Sequence, residues 1–217
     1  MLNVENVTKI YNNRSILKNV TFEFKSNTFY AITGESGAGK TTLLSLLAGI
    51  EQPSSGLISY LEKDISKMAI ASYLRNNSII FQQFNLINYL TARENVSVAL
   101  DIWNNKSEQK KYISEVLTKV GITEELQNIV CARMSGGQQQ RVAIARALAQ
   151  NGNIIFADEP TGNLDFQTSK SIISLLKGLT FIENKCVICV THSPEVVAEA
   201  DVVLHLEEGK LSHANKR

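Results

Sequence analysis

The chain has 217 residues, with 22 lysines and arginines against 21 aspartates and glutamates, a formal net charge of +1. A chain of this length buries a full core unaided, and its 44% hydrophobic and 20% charged residues exclude a disordered or fibrous protein. The near-neutral charge argues against a nucleic-acid binder that works by phosphate neutralisation, and the odd cysteine count at 131, 186 and 189 argues against a secreted disulfide scaffold. No apolar run approaches the ~20 residues that cross a bilayer, and no signal peptide is expected at the N-terminus.

In chain order, Leu2 to Val7 and Val20 to Phe24 alternate apolar and polar residues, the pattern of half-buried strands. Thr28 to Thr33 is more continuously apolar, as in a strand buried on both faces. A glycine-rich stretch follows, then a helix from Lys40 to Ala48. Asn76 to Phe81 is another short strand. From about 91 to 130 the pattern is helical. Thr91 with Glu94 forms a capping box for a helix through Leu100, and Ser107 to Val120 forms a second helix, stopped by Gly121. Ser135 with Gln138 caps a third. Asn153 to Ala157, Cys186 to Thr191 and Val202 to Leu206 read as short buried strands, with a helix from about Gln167 to Leu179 between the first two. Strands and helices that alternate at both ends predict an α/β fold with a mostly parallel sheet, and the helical middle third reads as a separate lobe.

Gly34-Glu35-Ser36-Gly37-Ala38-Gly39-Lys40-Thr41 fits G-x-x-x-x-G-K-[ST] between a strand and a helix. Its glycines let successive backbone N–H groups point at one anion, and the helix N-terminus adds partial positive charge. Lys40 is a full cation for the β- and γ-phosphates, and the Thr41 hydroxyl can ligate Mg²⁺. Ile154 to Ala157 then runs into Asp158 and Glu159 at the C-terminal end of a strand, where ligands bind in open α/β sheets. Asp158 is placed to hold Mg²⁺. Glu159 is placed to orient an attacking water and accept its proton. Ser135, Gly136, Gly137 and Gln138 open a helix whose free N–H groups make a second anion grip about a hundred residues from the first.

Met134-Ser135-Gly136-Gly137-Gln138 resembles the LSGGQ signature of ABC ATPases, with methionine for leucine. Other family markers follow in order. Tyr11 matches the aromatic that stacks on adenine. Gln82, in FQQFNL, matches the loop glutamine between the two lobes. Pro160 to Asp165 (PTGNLD) matches the loop after the carboxylates, and Thr191-His192 the switch histidine. The resemblance implies a single P-loop NTPase domain of the ABC ATPase fold. Its core, with an N-terminal antiparallel β subdomain, covers 1–85 and 150–217, and a mainly helical subdomain covers about 86–149. It implies ATP and Mg²⁺ as ligands. Gly34, Ser36, Gly37, Ala38, Gly39, Lys40, Thr41 and Thr42 would grip the nucleotide in cis. Ser135, Gly136, Gly137 and Gln138 would close on the nucleotide of a head-to-tail partner. Gln82 would sense metal and water, and His192 the γ-phosphate. The segments 81–96 and 136–147 look most like the branch that serves macrolide export, lipoprotein release and antimicrobial-peptide export or resistance. That implies an integral membrane permease as partner, a cytoplasmic place at the inner face of the membrane, and no direct nucleic-acid partner. The alternative is an ABC-type ATPase coupled to cell-wall, division or soluble nucleic-acid or ribosome work. A small-molecule kinase would leave Ser135 to Gln138 and His192 unexplained.

Cys131 stands where many members have proline, and Ser26-Asn27-Thr28 replaces a usual glycine–glutamate turn. Cys186 and Cys189 form C-x-x-C, but residues three apart on a strand face opposite ways, so two small core residues are expected rather than redox or zinc chemistry. Trp103 and the aromatics at 22, 24, 29 and 30 are expected in the core, and Lys106 to Lys111 on a solvated helix face.

Overall fold

The computed structural model describes residues 1–102, 109–162 and 164–214. Trp103, Asn163 and the first part of the Lys106 to Lys111 run lie outside the described residues. The chain begins with a hairpin of β1 (Leu2–Tyr11) and β2 (Arg14–Phe24), followed by β3 (Thr28–Thr33) and α1 (Lys40–Leu47). Next come β4 (Ser55–Tyr60), β5 (Lys63–Asp64), α2 (Ile70–Arg75) and β6 (Asn77–Ile80). The helical stretch holds α3 (Ala92–Ile102), α4 (Gln109–Lys119), α5 (Glu124–Gln127) and α6 (Gly136–Ala149). The chain then runs through β7 (Ile154–Asp158), α7 (Phe166–Glu183), β8 (Cys186–Val190), α8 (Pro194–Glu199), β9 (Val202–Glu207) and β10 (Lys210–His213).

The strands form two sheets, an antiparallel one ordered β2-β1-β4-β5 and a six-stranded one ordered β10-β9-β3-β8-β7-β6. The latter is parallel from β9 to β6, with β10 antiparallel at its edge. Successive residues of its central strands enter opposite cores. Phe29, Ala31, Val187 and Cys189 pack with α3, α4, α6 and α7. Tyr30, Ile32, Cys186 and Ile188 pack with the α1 leucines and the antiparallel sheet. Cys186 and Cys189 thus lie on opposite faces, both buried, as their spacing on a strand requires. Residues of α3, α4 and α6 share one apolar cluster with the sheet rather than closing a core of their own.

The alternation read for β1 stops at Val7, yet the strand continues to Tyr11. Asn6 and Asn19 take left-handed φ of 50°, and the register shifts between Val4 and Val7 and again beyond, so the period of two is interrupted. Asn12 and Asn13, with φ of 46° and 62°, close the hairpin as a two-residue turn whose twist suits the strands it joins. Both helix-start expectations from capping boxes hold. Glu94 accepts from Thr91 N at 2.8 Å, and Ser135 Oγ from Gln138 N at 3.3 Å. Phe24, Phe29 and Tyr30 are buried, and Phe22 packs edge-on to Phe24 and Tyr30.

The parallel registers align the C-terminal ends of β3, β8 and β7. Ile32 pairs with Val190, and Asp158 with Val190. Three loops, 34–39, 159–165 and 191–193, therefore leave the sheet along one edge.

Candidate functional site

The first loop turns from β3 into α1 through Gly37 and Gly39, at φ of 79° and 100°. A Cβ at Gly39 would sit 2.8 Å from Ile16 Cγ2, whereas one at Gly37 would meet nothing within 4 Å. Close packing and left-handed backbone together require glycine at 39, and left-handed backbone alone favours it at 37. Lys40 is 6% exposed. Its Nζ donates to the carbonyls of Gly34 at 3.0 Å and Glu35 at 2.9 Å, and lies 2.9 Å from His192 Nε2. Burial draws its pKa down, and the facing Glu159 and Asp158 carboxylates oppose that.

Asp158 ends β7 and accepts a hydrogen bond from the Thr41 hydroxyl at 3.4 Å. Burial pushes its carboxyl above the usual range, and Glu159 adds to this, against Thr41 and Lys40. Glu159 takes φ of 44°, a left-handed conformation unusual for glutamate, pinned by its N–H donating to Val190 O at 2.9 Å. One carboxylate oxygen, Oε2, accepts from Thr191 Oγ1 at 3.3 Å and His192 N at 3.2 Å. The other, Oε1, is buried without a hydrogen-bond partner, 3.7 Å from His192 Nε2. An unsatisfied acceptor is thus held at the mouth of the phosphate loop, beside a cation and a histidine.

A cleft of about 470 Å³ collects Tyr11, Ser36, Gly37, Gly39, Lys40, Thr41, Thr42, Gln82, Asp158, Glu159 and His192. Ala38 lines an adjoining hollow, and Gly34 packs against the Leu206 carbonyl. The ribs of the cleft also include Ile16 and Val190, which carried no sequence signal beyond being apolar. The Thr41 hydroxyl, the Gln82 amide and the Asp158 carboxylate are hard oxygen donors, which fit a small divalent cation. Among the described residues no three His, Cys, Asp or Glu side chains gather as a metal cage. Such a sparse donor set suits an ion that keeps most of its coordination from water and phosphate.

A family model for ABC transporters matches residues 17–162. The chain belongs to the ABC transporter family. An uncharacterised ABC transporter ATP-binding protein of Bacillus subtilis, YclH, is 41% identical over 217 residues, covering 98% of this chain and 96% of the relative. The lipoprotein-releasing system ATP-binding protein LolD of Wigglesworthia glossinidia brevipalpis is 36% identical over 224 residues, covering 99% of this chain and 97% of its own. Among solved structures, the ATP-binding cassette MJ0796, a dimer in a post-hydrolysis state bound to ADP and Pi, superposes with a TM-score of 0.89 at 34% identity over the whole of both chains. This protein is an ATP-binding subunit with the ABC ATPase fold and activity.

In this ABC ATPase, Ser135, Gly136, Gly137 and Gln138 do not line the cleft. They open α6 through a complete capping box, in which Gln138 Oε1 also accepts from Ser135 N at 3.0 Å. The start of α6 packs beside two loops of the site. Gly137 lies against Thr168 at the start of α7, and Gly136 faces Phe84, just past Gln82. Asp165 caps α7 by accepting from Thr168 N at 3.0 Å and its hydroxyl at 2.6 Å, which draws its carboxyl below the usual range. Met134 is 6% exposed and joins the helix-side core, so methionine serves there as an apolar filler.

Proposed function

We propose that the cleft binds ATP and Mg²⁺ and that hydrolysis there drives a separate membrane permease of the export or lipoprotein-release type. The observation that carries the reading is the convergence of Lys40, Asp158, Glu159 and His192, from three loops, on one cleft beside the phosphate loop. Backbone N–H groups of 37–42 and the Lys40 ammonium hold the β- and γ-phosphates, with the base against Tyr11. Thr41, Gln82 and Asp158 would hold Mg²⁺, which when bound neutralises charge on the phosphate oxygens. Glu159 Oε1, without a hydrogen-bond partner in the protein, accepts the proton of the attacking water, while Thr191 and the His192 backbone hold the other oxygen still. His192 faces both Lys40 and Glu159 and so contacts the γ-phosphate and steadies the water.

The grip at Ser135 to Gln138 lies outside its own cleft, so it serves the nucleotide of a second copy, packed head to tail. That MJ0796 is solved as a dimer supports an assembly of two copies. The helical stretch 86–149 carries that grip as one subdomain against the core. For the permease, Tyr89, 78% exposed, and Ile129 offer apolar surface on neighbouring segments joined by the Thr91–Val130 bridge. No helix among the described residues is long and apolar enough to cross a membrane. On this reading the permease supplies the membrane attachment, at the cytoplasmic face.

Two experiments test the reading. Lys40→Ala should weaken ATP binding about ten- to a hundredfold, the worth of a charge-assisted hydrogen bond or more. Unchanged affinity in a titration would refute the phosphate-loop assignment. Membranes probed with ATP-loaded Glu159→Gln should yield a multi-span protein retained only with ATP, identified by mass spectrometry. Recovery of ribosomal, DNA-bound or soluble partners alone would refute transport and leave the ATPase standing.

A further inference from the structure

Tyr11 ends β1 and is 39% exposed as a residue, yet its ring is not free. Its hydroxyl donates to Glu51 Oε2, just beyond the end of α1. The same carboxylate oxygen lies 3.1 Å from Lys9 Nζ. That ammonium also donates to the Gln52 carbonyl at 2.7 Å and sits 4.9 Å from the centroid of the Tyr11 ring. The Lys9 side chain is only 13% exposed, against 36% for Glu51, so the cation is the inner member of the pair. The hydrogen bond to a carboxylate also pushes the Tyr11 phenol up, which keeps it a donor. Edge and face of the ring are therefore held from two directions, by residues that do not line the cleft themselves.

We infer that Lys9 and Glu51 are positioning residues for the nucleotide base, which fix the Tyr11 ring before nucleotide arrives. The inference rests on the reading of Tyr11 as the base contact. An exposed side chain that must be immobilised on binding costs affinity, and one already held does not. Stacking accepts any base, since every base has a π-face, so this device strengthens binding without choosing between adenine and guanine. It also ties the end of β1 to the far end of the helix whose first turn carries Lys40 and Thr41.

The test is calorimetric titration of the full chain with ATP, GTP and inorganic tripolyphosphate, which has no base. Glu51→Ala should weaken ATP and GTP alike, about three- to tenfold, the cost of ordering one side chain, and leave tripolyphosphate unchanged. Glu51→Gln keeps an acceptor for the phenol and should recover most of the loss. Lys9→Met should show a smaller loss of the same pattern. In a Tyr11→Ala background, Glu51→Ala should add nothing. An equal loss for tripolyphosphate would make Glu51 a support of α1 and overturn the inference, as would losses that add in the double variant. If Tyr11→Ala weakens ATP while Glu51→Ala is silent, positioning alone is refuted. If Tyr11→Ala itself leaves ATP affinity unchanged, the base-contact reading falls and takes the inference with it.

Discussion

Replacing Glu159 by glutamine removes a base and one negative charge, so Lys40 loses a facing carboxylate while Asp158 loses a repelling neighbour, two effects of opposite sign. Length and volume stay the same. The amide oxygen can accept the two bonds that Oε2 now receives from Thr191 Oγ1 at 3.3 Å and His192 N at 3.2 Å. The amide nitrogen then takes the place of Oε1, which is buried with no hydrogen-bond partner. One unsatisfied buried group replaces another, so stability should stay within about 1 kcal/mol, or about 2–4 °C in Tm for a chain of this size. The phosphate loop is untouched, so ATP affinity should stay within about threefold, or less than 1 kcal/mol. Turnover should fall by about 10²–10⁴, the usual reach of general-base assistance, equivalent to about 2.7–5.5 kcal/mol on the barrier. Phosphate release should be measured beside ATP titration and a thermal melt, with light scattering to detect an ATP-trapped dimer. Hydrolysis within about threefold of the parent, in a chain that still binds ATP and melts normally, would refute Glu159 as the base, because general-base catalysis cannot be worth so little.

Asp158 carries a stability cost whose sign can be checked. Its carboxyl is held above its ordinary value by burial, so the folded chain binds that proton more tightly than the unfolded chain. The stabilising contribution is full below the ordinary carboxylate value and is lost as pH rises through the raised one. Without nucleotide, Asp158→Asn should therefore raise Tm at pH 7, by about 2–4 °C for each kcal/mol gained, while abolishing hydrolysis; no rise at pH 7 would count against the cost. Tyr73 is fully buried and donates its hydroxyl to Leu47 O at 2.6 Å, at the end of α1. Tyr73→Phe should destabilise by about 1–2 kcal/mol in a denaturant titration by orphaning that carbonyl, and an unchanged midpoint would refute the bond's importance. Cys131, Cys186 and Cys189 are all buried, and burial pushes the Cys186 thiol up to about 12 and the other two upward as well. A colorimetric thiol reagent at pH 8 should find no rapidly reacting group until the chain is unfolded, and a fast native phase would contradict the burial.

Motifs made of contiguous residues were legible before any fold was known. The phosphate loop, the Asp158-Glu159 pair and the Ser135 capping box each depend on neighbours in sequence, because backbone N–H groups and side chains a few residues apart already define them. Central strands were legible too. Phe29 to Ile32 and Cys186 to Val190 are hydrophobic runs since both faces are covered, and this composition survives without knowledge of what covers them. The short β4, β5, α2, α5, α8 and β10 had no such signal, being too brief to show a period. The extension of β1 to Tyr11 was hidden because its bulges break the alternation that marks a strand.

Sequence alone determined that this chain carries a phosphate-loop motif, a carboxylate pair at a strand end and a second capped, glycine-rich helix start a hundred residues on. Only the tertiary structure decided which groups meet. It set Lys40 Nζ 2.9 Å from His192 Nε2, left Glu159 Oε1 without a partner, and drew Lys9 and Glu51 around Tyr11. It also kept Ser135 to Gln138 out of the chain's own cleft. The physical reason is separation along the chain. A loop's geometry follows from its own glycines and caps, whereas groups 40 or 152 residues apart come together only when sheet register and packing bring their elements alongside one another.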